Sequence, residues 1–168
     1  MTILAVGLAY DDQQFSEGSP PKGAWLFLQP ELECSRLAAL ARPDDRFVYS
    51  DLRVETIKQL PEAELTLVNV GFGHESLARM LATHWNALGR QAVFFGPVPT
   101  LWSESPPDWC RHYVTGDIIN VWPELAQDAR TGHLKPRYVA SPGPTYVPAR
   151  PGLGRWPLMN TRYQRISF

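Results

Sequence analysis

Five short apolar segments, separated by stretches with a different periodicity, constrain the fold of this chain more than any other feature. The segments are residues 2–8, 47–52, 65–70, 92–95 and 112–114. Runs of this length with almost no polar residues are typical of strands buried on both faces of a parallel sheet. Strands of this kind, alternating with helices, predict an α/β protein built from βαβ units.

Helices are predicted between these strands from apolar residues at three- and four-residue spacing. The clearest is residues 75–88, which carries Leu77, Leu81, Trp85 and Leu88 and is followed by Gly89. Pro30 suits the first turn of an earlier helix, and a short helix is expected at 53–60. The last helix is predicted at 118–131 and is expected to end at Gly132. Short connections and right-handed crossovers favour a flavodoxin-like (Rossmann-like) open sheet of five mostly parallel strands, with helices on both faces.

The composition divides the chain into a domain and an extension. Residues 1–140 carry the strand and helix patterns, and 136–140 is a candidate edge strand. Residues 10–23 are rich in glycine, serine and proline and predict a long loop. From residue 141 to 168 proline, glycine, arginine and aromatic residues dominate without periodicity, so we expect an irregular extension or linker.

Charge and cysteine content exclude several classes of function. The net charge is −1 and the 16 lysine and arginine residues are scattered, which gives no support for a nucleic acid partner. The apolar runs are too short for a membrane span, and the amino terminus lacks the basic region of a signal peptide, so we expect a cytoplasmic protein. Cys34 and Cys110 predict neither a disulfide framework nor, with the four histidines, a zinc site.

The loops that follow the strands are the predicted ligand site, because an open α/β sheet binds ligands at the carboxyl ends of its strands. These exits are residues 9–12, 71–76, 96–101 and 115–117, and three of them carry glycine. Glycine lets the backbone approach a ligand closely, although each glycine taken alone is equally well explained by a turn. Ser76, in the first turn of a helix, is a candidate for holding a phosphate or an amide.

No signature of self-sufficient catalysis accompanies this site. The chain has no GxGxxG after the first strand, no P-loop, and no nucleophile–base pair that the sequence identifies. We therefore expect a binding domain.

Three motifs give the chain a family resemblance. They are FGPVPT at 95–100, TGD at 115–117 followed by WPEL at 122–125, and GHLKPRY at 132–138. In this order they resemble the "GGPHPT", "GEGE…WPELL" and "LKPRY" segments of the amino-terminal cobalamin-binding domain of cobalamin-dependent radical S-adenosylmethionine enzymes. The resemblance implies a cobalamin cofactor and a radical S-adenosylmethionine domain as the partner.

The resemblance also implies a set of contact residues. The nucleotide tail of cobalamin is expected near Gly71, Ser76 and Gly96, with the corrin over the carboxyl edge of the sheet. The full expected set is Leu8, Ala9, Tyr10, Gly71, Phe72, Ser76, Leu77, Gly96, Pro97, Val98, Pro99, Thr100, Thr115, Gly116, Asp117 and Trp122. A Trp at position 96 is expected to abolish binding and leave the fold intact.

The chain departs from the family at several positions. The cobalt-ligating Asp-x-His-x-x-Gly motif is absent, which implies binding with neither histidine nor the cofactor's own base on cobalt. Gly96-Pro97 replaces a glycine pair, and Val98 stands where the family has histidine. No CxxxCxxC motif is present, so the [4Fe–4S] cluster, S-adenosylmethionine and any methyltransferase chemistry are expected in an associated or missing domain.

Other interpretations of the same pattern remain. The chain is alternatively a degenerate Rossmann-like module that has lost cobalamin and positions a partner or substrate. A flavin site or a receiver domain fits poorly, because residues 9–13 offer no serine or threonine for a phosphate and Gly71 stands where a receiver needs aspartate.

Overall fold

The computed structural model describes residues 1–8, 32–52 and 55–141, and within these ranges a parallel sheet forms the centre of the protein. Its strands are β1 (Thr2–Gly7), β2 (Arg46–Asp51), β3 (Leu65–Asn69), β4 (Ala92–Phe95), β5 (His112–Thr115) and β6 (Arg137–Val139). The helices are α1 (Leu32–Leu40), α2 (Glu75–Ala87), α3 (Pro97–Trp102) and α4 (Ile118–Thr131), with a 3₁₀ turn at Ile57–Gln59. The expected loop at 10–23, Pro30 and the extension at 142–168 lie outside the described residues.

The strand order is β2-β1-β3-β4-β5-β6, and every neighbouring pair is parallel. This order is the flavodoxin-like arrangement with one strand added, so the predicted α/β fold is confirmed. The predicted count of five strands is wrong, because the candidate edge strand does pair with β5 and places Val114 opposite Tyr138. Tyr138 is almost fully buried, and this aromatic anchor explains why so short a segment joins the sheet.

Each face of the sheet carries its own hydrophobic core. Alternate residues of β1 divide between them: Ile3 and Ala5 face α1 and α4, whereas Leu4 and Val6 face α2 and α3. The period of two that governs side chains in a strand produces this division. We call these the first core and the second core.

Helix α4 makes a crossover of unusual hand. Helices α1 and α4 both pack in the first core, on the same face of the sheet. The connection through α1 leads from β1 to β2 toward one edge of the sheet, whereas the connection through α4 leads from β5 to β6 toward the opposite edge. Helix α2 moves the chain in the same direction as α4 but lies in the second core. The β5–α4–β6 connection therefore has the opposite hand to the connections through α1 and α2, although about 98% of such crossovers share one hand.

Buried polar contacts hold this last unit in place. The Tyr138 hydroxyl donates to Asp128 Oδ2 of α4 at 2.9 Å and accepts from the Lys135 N–H at 3.0 Å. Burial, reinforced by the neighbouring Asp128 carboxylate, raises the pKa of Tyr138 to about 12. The hydroxyl thus stays protonated and keeps donating at neutral pH.

The segment after β4 differs from its predicted form. Residues 96–101 were expected to be a loop, but Pro97–Trp102 is the helix α3. Pro97 stands at the first helical position, where its fixed φ suits a helix and its missing N–H costs nothing. Of the short helix expected at 53–60, the described residues 55–60 form the 3₁₀ turn Ile57–Gln59, and Leu88, expected in the apolar stripe of α2, is 51% exposed.

Asp45 connects three parts of the fold that are distant in sequence. Its fully buried carboxylate lies 3.3 Å from the Met1 ammonium group at the start of β1 and 2.5 Å from the Arg130 guanidinium in the last turn of α4. It also accepts a hydrogen bond from the Arg42 N–H at 2.9 Å. Burial alone would raise the pKa of Asp45, but these partners outweigh it and hold the pKa below its ordinary value of 3.8.

We expect Asp45→Asn to lower the free energy of unfolding by about 3 kcal/mol at pH 7, because the buried Met1 ammonium group and the partly exposed Arg130 guanidinium lose their shared anion. A carboxylate with a lowered pKa stabilises the fold above its unfolded-state pKa and loses that contribution as the pH falls through the folded-state pKa. The difference between the two proteins should therefore shrink below about pH 3.8, the ordinary value. Urea unfolding across pH 3–7 measures it, with exposed Asp44→Asn as the matched control; an equal loss in that control would contradict the assignment.

Candidate functional site

A cavity of about 310 Å³ opens at the carboxyl ends of β3, β4 and β5. Its lining residues come from the ends of strands and the first turns of helices: Glu33, Asn69, Phe95, Gly96, Pro97, Thr100, Gly116, Asp117 and Ile118. We call it the edge cavity. Its volume lies at the lower end of the roughly 300–1,000 Å³ typical of small-molecule sites.

Gly96 allows β4 to leave the sheet directly against β3. Its φ of +109° and ψ of −167° belong to a region that glycine alone adopts readily. A Cβ at this position would lie 2.3 Å from Asn69 Oδ1 and 3.0 Å from the Val70 carbonyl oxygen. The backbone of residue 96 thus forms part of the cavity wall without any side chain.

Thr100 fastens two turns of the edge cavity to each other. Its hydroxyl donates to the Gly96 carbonyl oxygen at 2.8 Å and accepts from the Gly116 N–H at 3.1 Å. Gly116 has a φ of +91°, and a Cβ there would lie 2.9 Å from the Ala140 Cβ. One hydroxyl therefore sets the distance between the exits of β4 and β5.

Asp117 closes the cavity from the side of the first core. Its Oδ1 accepts from the Ile119 N–H at 2.9 Å and caps α4, while Oδ2 lies 3.5 Å from Arg36 of α1. Side-chain exposure is 17% for Asp117 and 15% for Arg36, so this pair is only partly screened by solvent. Asp117, Asn69 and Thr100 therefore place polar side chains at the cavity wall.

The structure brings five of the expected contact residues together in the edge cavity. They are Gly96, Pro97, Thr100, Gly116 and Asp117. They belong to the FGPVPT and TGD motifs, which are separated by 14 intervening residues, 101–114, in the sequence. The interpretation that these glycine turns share one site is consistent with this geometry.

The other expected residues lie elsewhere. Leu8, Leu77, Val98 and Trp122 are packed in the two cores, and Pro99 is buried as well. The Trp122 indole N–H points to the Leu40 carbonyl oxygen at 3.4 Å, and Thr115 accepts from Arg137 Nε at 3.2 Å, so both have structural contacts. Ala9 and Tyr10 lie outside the described residues.

The β3–α2 loop also lies apart from the edge cavity. The Gly71 N–H donates to His74 Nδ1 at 3.1 Å, which makes this glycine part of a turn. Phe72 is 65% exposed. Ser76 lines a separate groove on the outer surface of α2.

Sequence reasoning missed Glu33, Asn69, Phe95 and Ile118. Asn69 had a local signal, since it is the polar residue that ends the apolar strand β3. No local sequence signal pointed to Glu33, because it reaches the cavity only through the docking of α1 beside α4. The apolar side chains of Phe95 and Ile118 indicated only ordinary core positions.

Metal and thiol chemistry find little support in the described residues. Within residues 1–8, 32–52 and 55–141, no three His, Cys, Asp or Glu side chains are grouped so as to hold a metal ion. Cys34 and Cys110 are buried, and burial raises the pKa of the Cys110 thiol to about 12. A thiol with so high a pKa is a poor nucleophile at neutral pH.

Comparison of the chain with known protein families, curated proteins and solved structures finds no match. Across the described ranges, no helix has the length and apolar character that crossing a membrane requires. The functional interpretation therefore depends on the fold and on the edge cavity.

We expect Gly96→Ala to destabilise the fold by roughly 3 kcal/mol, because the new Cβ meets Asn69 and Val70 in a backbone conformation that alanine avoids. Gly132→Ala is the matched control: φ is +74° with nothing within 4 Å, so it should cost only about 1 kcal/mol. Urea unfolding of both variants measures the difference. Equal losses would show that Gly96 is not tightly packed.

The same packing corrects the expectation that Gly96→Trp leaves the fold intact. A side chain of any size begins with a Cβ that has no room at this position. Loss of binding in that variant would therefore not report on the site alone.

We expect Thr100→Val to lower the free energy of unfolding by about 1–2 kcal/mol and to speed amide exchange at Gly116, because the Gly116 N–H loses its acceptor. Thr100→Ser keeps the hydroxyl and is the matched control. Hydrogen exchange followed by NMR reports on this N–H. Unchanged protection of Gly116 in the valine variant would show that the hydrogen bond does not hold the two turns together.

Proposed function

We propose that this domain binds a corrinoid at the carboxyl edge of its sheet and presents it to a radical S-adenosylmethionine domain for methyl transfer. One observation carries the proposal: the FGPVPT and TGD motifs, which define the resemblance to cobalamin-binding domains, line the same cavity. The cavity lies at the carboxyl ends of β3, β4 and β5, where open α/β sheets bind ligands.

The chain's residues fit part of such a ligand. Gly96 contributes its backbone to the cavity wall, since Asn69 and Val70 occupy the place where a side chain at 96 would begin. About 310 Å³ suits the nucleotide tail of a corrinoid, and the macrocycle would then lie outside the cavity, over the edge of the sheet. When bound, the corrinoid would supply a transferable methyl group.

The residues of the chain itself would bind and orient the ligand. The Asn69 amide and the Thr100 hydroxyl lie at the cavity wall, where they can hydrogen-bond a ligand. Among the described residues that line the cavity there is no histidine, so the proposal assigns none of them as a ligand to cobalt. Leu8 and Val98, which belong to the expected contact set, pack in the second core, whereas Pro97 and Thr100 are the α3 residues that line the cavity.

Absorption spectroscopy and gel filtration test the proposal directly. Hydroxocobalamin or methylcobalamin, mixed with the purified 168-residue chain, should co-elute with it and show the spectral shift of a corrinoid whose base has left cobalt. Pro97→Trp places an indole in the cavity wall and should weaken binding at least about tenfold, because it competes for the space of the ligand.

Leu101→Trp is the matched control, since Leu101 lies on the same helix, is 68% exposed and does not line the cavity. Cooperative urea unfolding confirms that both variants are folded. Absence of co-elution with the folded wild-type chain, or equal weakening in both variants, would refute corrinoid binding at the edge cavity.

A second candidate function has its own supporting observation. Phe72 and Leu101 are 65% and 68% exposed, and they lie on the segments that follow β3 and β4. Exposed apolar side chains that form one patch are typical of protein contacts, and β3 and β4, which these segments follow, are neighbouring strands. A chain that takes up no corrinoid but forms a stable complex with a radical S-adenosylmethionine protein would favour a partner-positioning module.

A further inference from the structure

A second concave site lies between α2 and the 3₁₀ turn, on the side of the sheet that carries the second core. One wall is a stripe of α2 formed by Ser76, Arg79, Met80, Thr83 and His84, which are spaced three or four residues apart. The other wall is Ile57 and Lys58 of the 3₁₀ turn. This α2 groove has a volume of about 400 Å³.

The charges of the α2 groove are of one sign. Lys58 extends from one wall and Arg79 from the other, His84 lies at one end, and none of the lining residues is a carboxylate. Glu55 and Glu75 are neighbours in sequence but do not line the groove. Two cations on facing walls therefore make the electrostatic potential between them positive, which favours the binding of an anion there.

These cations differ from others in the described part of the chain. Arg36, Arg90, Arg130, Lys135 and Arg137 each form an ion pair with a carboxylate. Among the described residues, Lys58 and Arg79 form no ion pair within 4.0 Å. Within the described residues, no carboxylate is thus close enough to neutralise their positive charge.

The floor of the groove is apolar. Ile57 is buried in the second core and Met80 packs partly against it, and both also face the groove. An apolar floor below a few convergent polar groups is the usual composition of a small-molecule site. Methionine adapts its shape to a flat or irregular apolar group.

We propose that the α2 groove binds a small phosphate monoester that carries an apolar substituent. The phosphate dianion lies between Lys58 and Arg79, whose guanidinium group can contact two phosphate oxygens at once. The apolar substituent lies on Met80 and Ile57. Because the groove is on the opposite side of the sheet from α1 and α4, this site is independent of the proposed corrinoid function.

NMR titration of the whole chain with phenyl phosphate tests the assignment. Saturable shifts are expected at the amides of the 3₁₀ turn and of residues 76–84, with inorganic phosphate binding more weakly because it leaves Met80 uncovered. Phenol, which lacks the charge, should produce no saturable shift at these amides. Benzoate should bind more weakly than phenyl phosphate, since it offers one charge and two oxygens.

A pair of variants separates the groove from general electrostatics. The double variant Lys58→Gln/Arg79→Gln should bind phenyl phosphate at least about tenfold more weakly. Arg46→Gln/Arg111→Gln removes the same charge from exposed positions elsewhere and should bind as the wild type does. Cooperative urea unfolding confirms that both are folded.

Three results would overturn the proposal. These are the absence of saturable shifts in the folded wild-type chain, an equal loss of affinity in the two double variants, and binding of phenol or benzoate as tight as that of phenyl phosphate. Corrinoid co-elution, which depends on the edge cavity, should be the same in the groove variant and in the wild type under the proposed function. A failure of one proposal can therefore be distinguished from a failure of the other.

Discussion

Burial of the sheet on both faces is the constraint on which the rest of this structure depends. Side chains in the middle of β1 and β3, such as Ile3, Leu4 and Leu67, have almost no contact with solvent, because helices cover both faces. A polar group placed there would lose its hydration without a partner. Where a strand ends, the same rigid frame can hold a polar group beside a cavity, as it holds Asn69 at the end of β3. The edge cavity follows from this restriction, since three such ends meet there.

The hand of the last crossover determines what completes the cavity. Because α4 packs on the face of α1, its first turn brings Asp117 to Arg36 and Ile118 to the cavity wall. A helix on the more common side would lie with α2 and α3, and the cavity would be open toward α1. Contacts at both ends of α4 maintain the observed arrangement: Asp45 binds Arg130 near its end, and Gly116 packs against Ala140 after β6. The site is thus formed by the least common feature of the topology.

Local patterns predicted the elements but not the way they dock. The strands were predictable because their burial requires apolar runs, and α4 was predicted with its observed bounds because Asp117 caps it and Gly132 adopts the left-handed conformation that ends it. Helix α3 was missed because a six-residue segment with two prolines is typical of a loop. Gly96 and Gly116 were found in the cavity because turns are visible in sequence. Glu33 reaches the cavity through docking alone, and no local pattern encodes that contact.

Val98, which stands where the resembled cobalamin-binding motif has histidine, is positioned by helix α3, which begins at Pro97. A proline at the first helical position favours a helix over an open loop, and the helix turns the next side chain, Val98, into the second core. A histidine at 98 would there be a buried polar group, which explains why an apolar residue accompanies the proline. The same helical turn directs Thr100 back to the Gly96 carbonyl oxygen and across to Gly116. The wall at this edge is therefore formed by the backbone of Gly96 and by the side chains of Asn69 and Thr100, whereas Val98 lies in the second core.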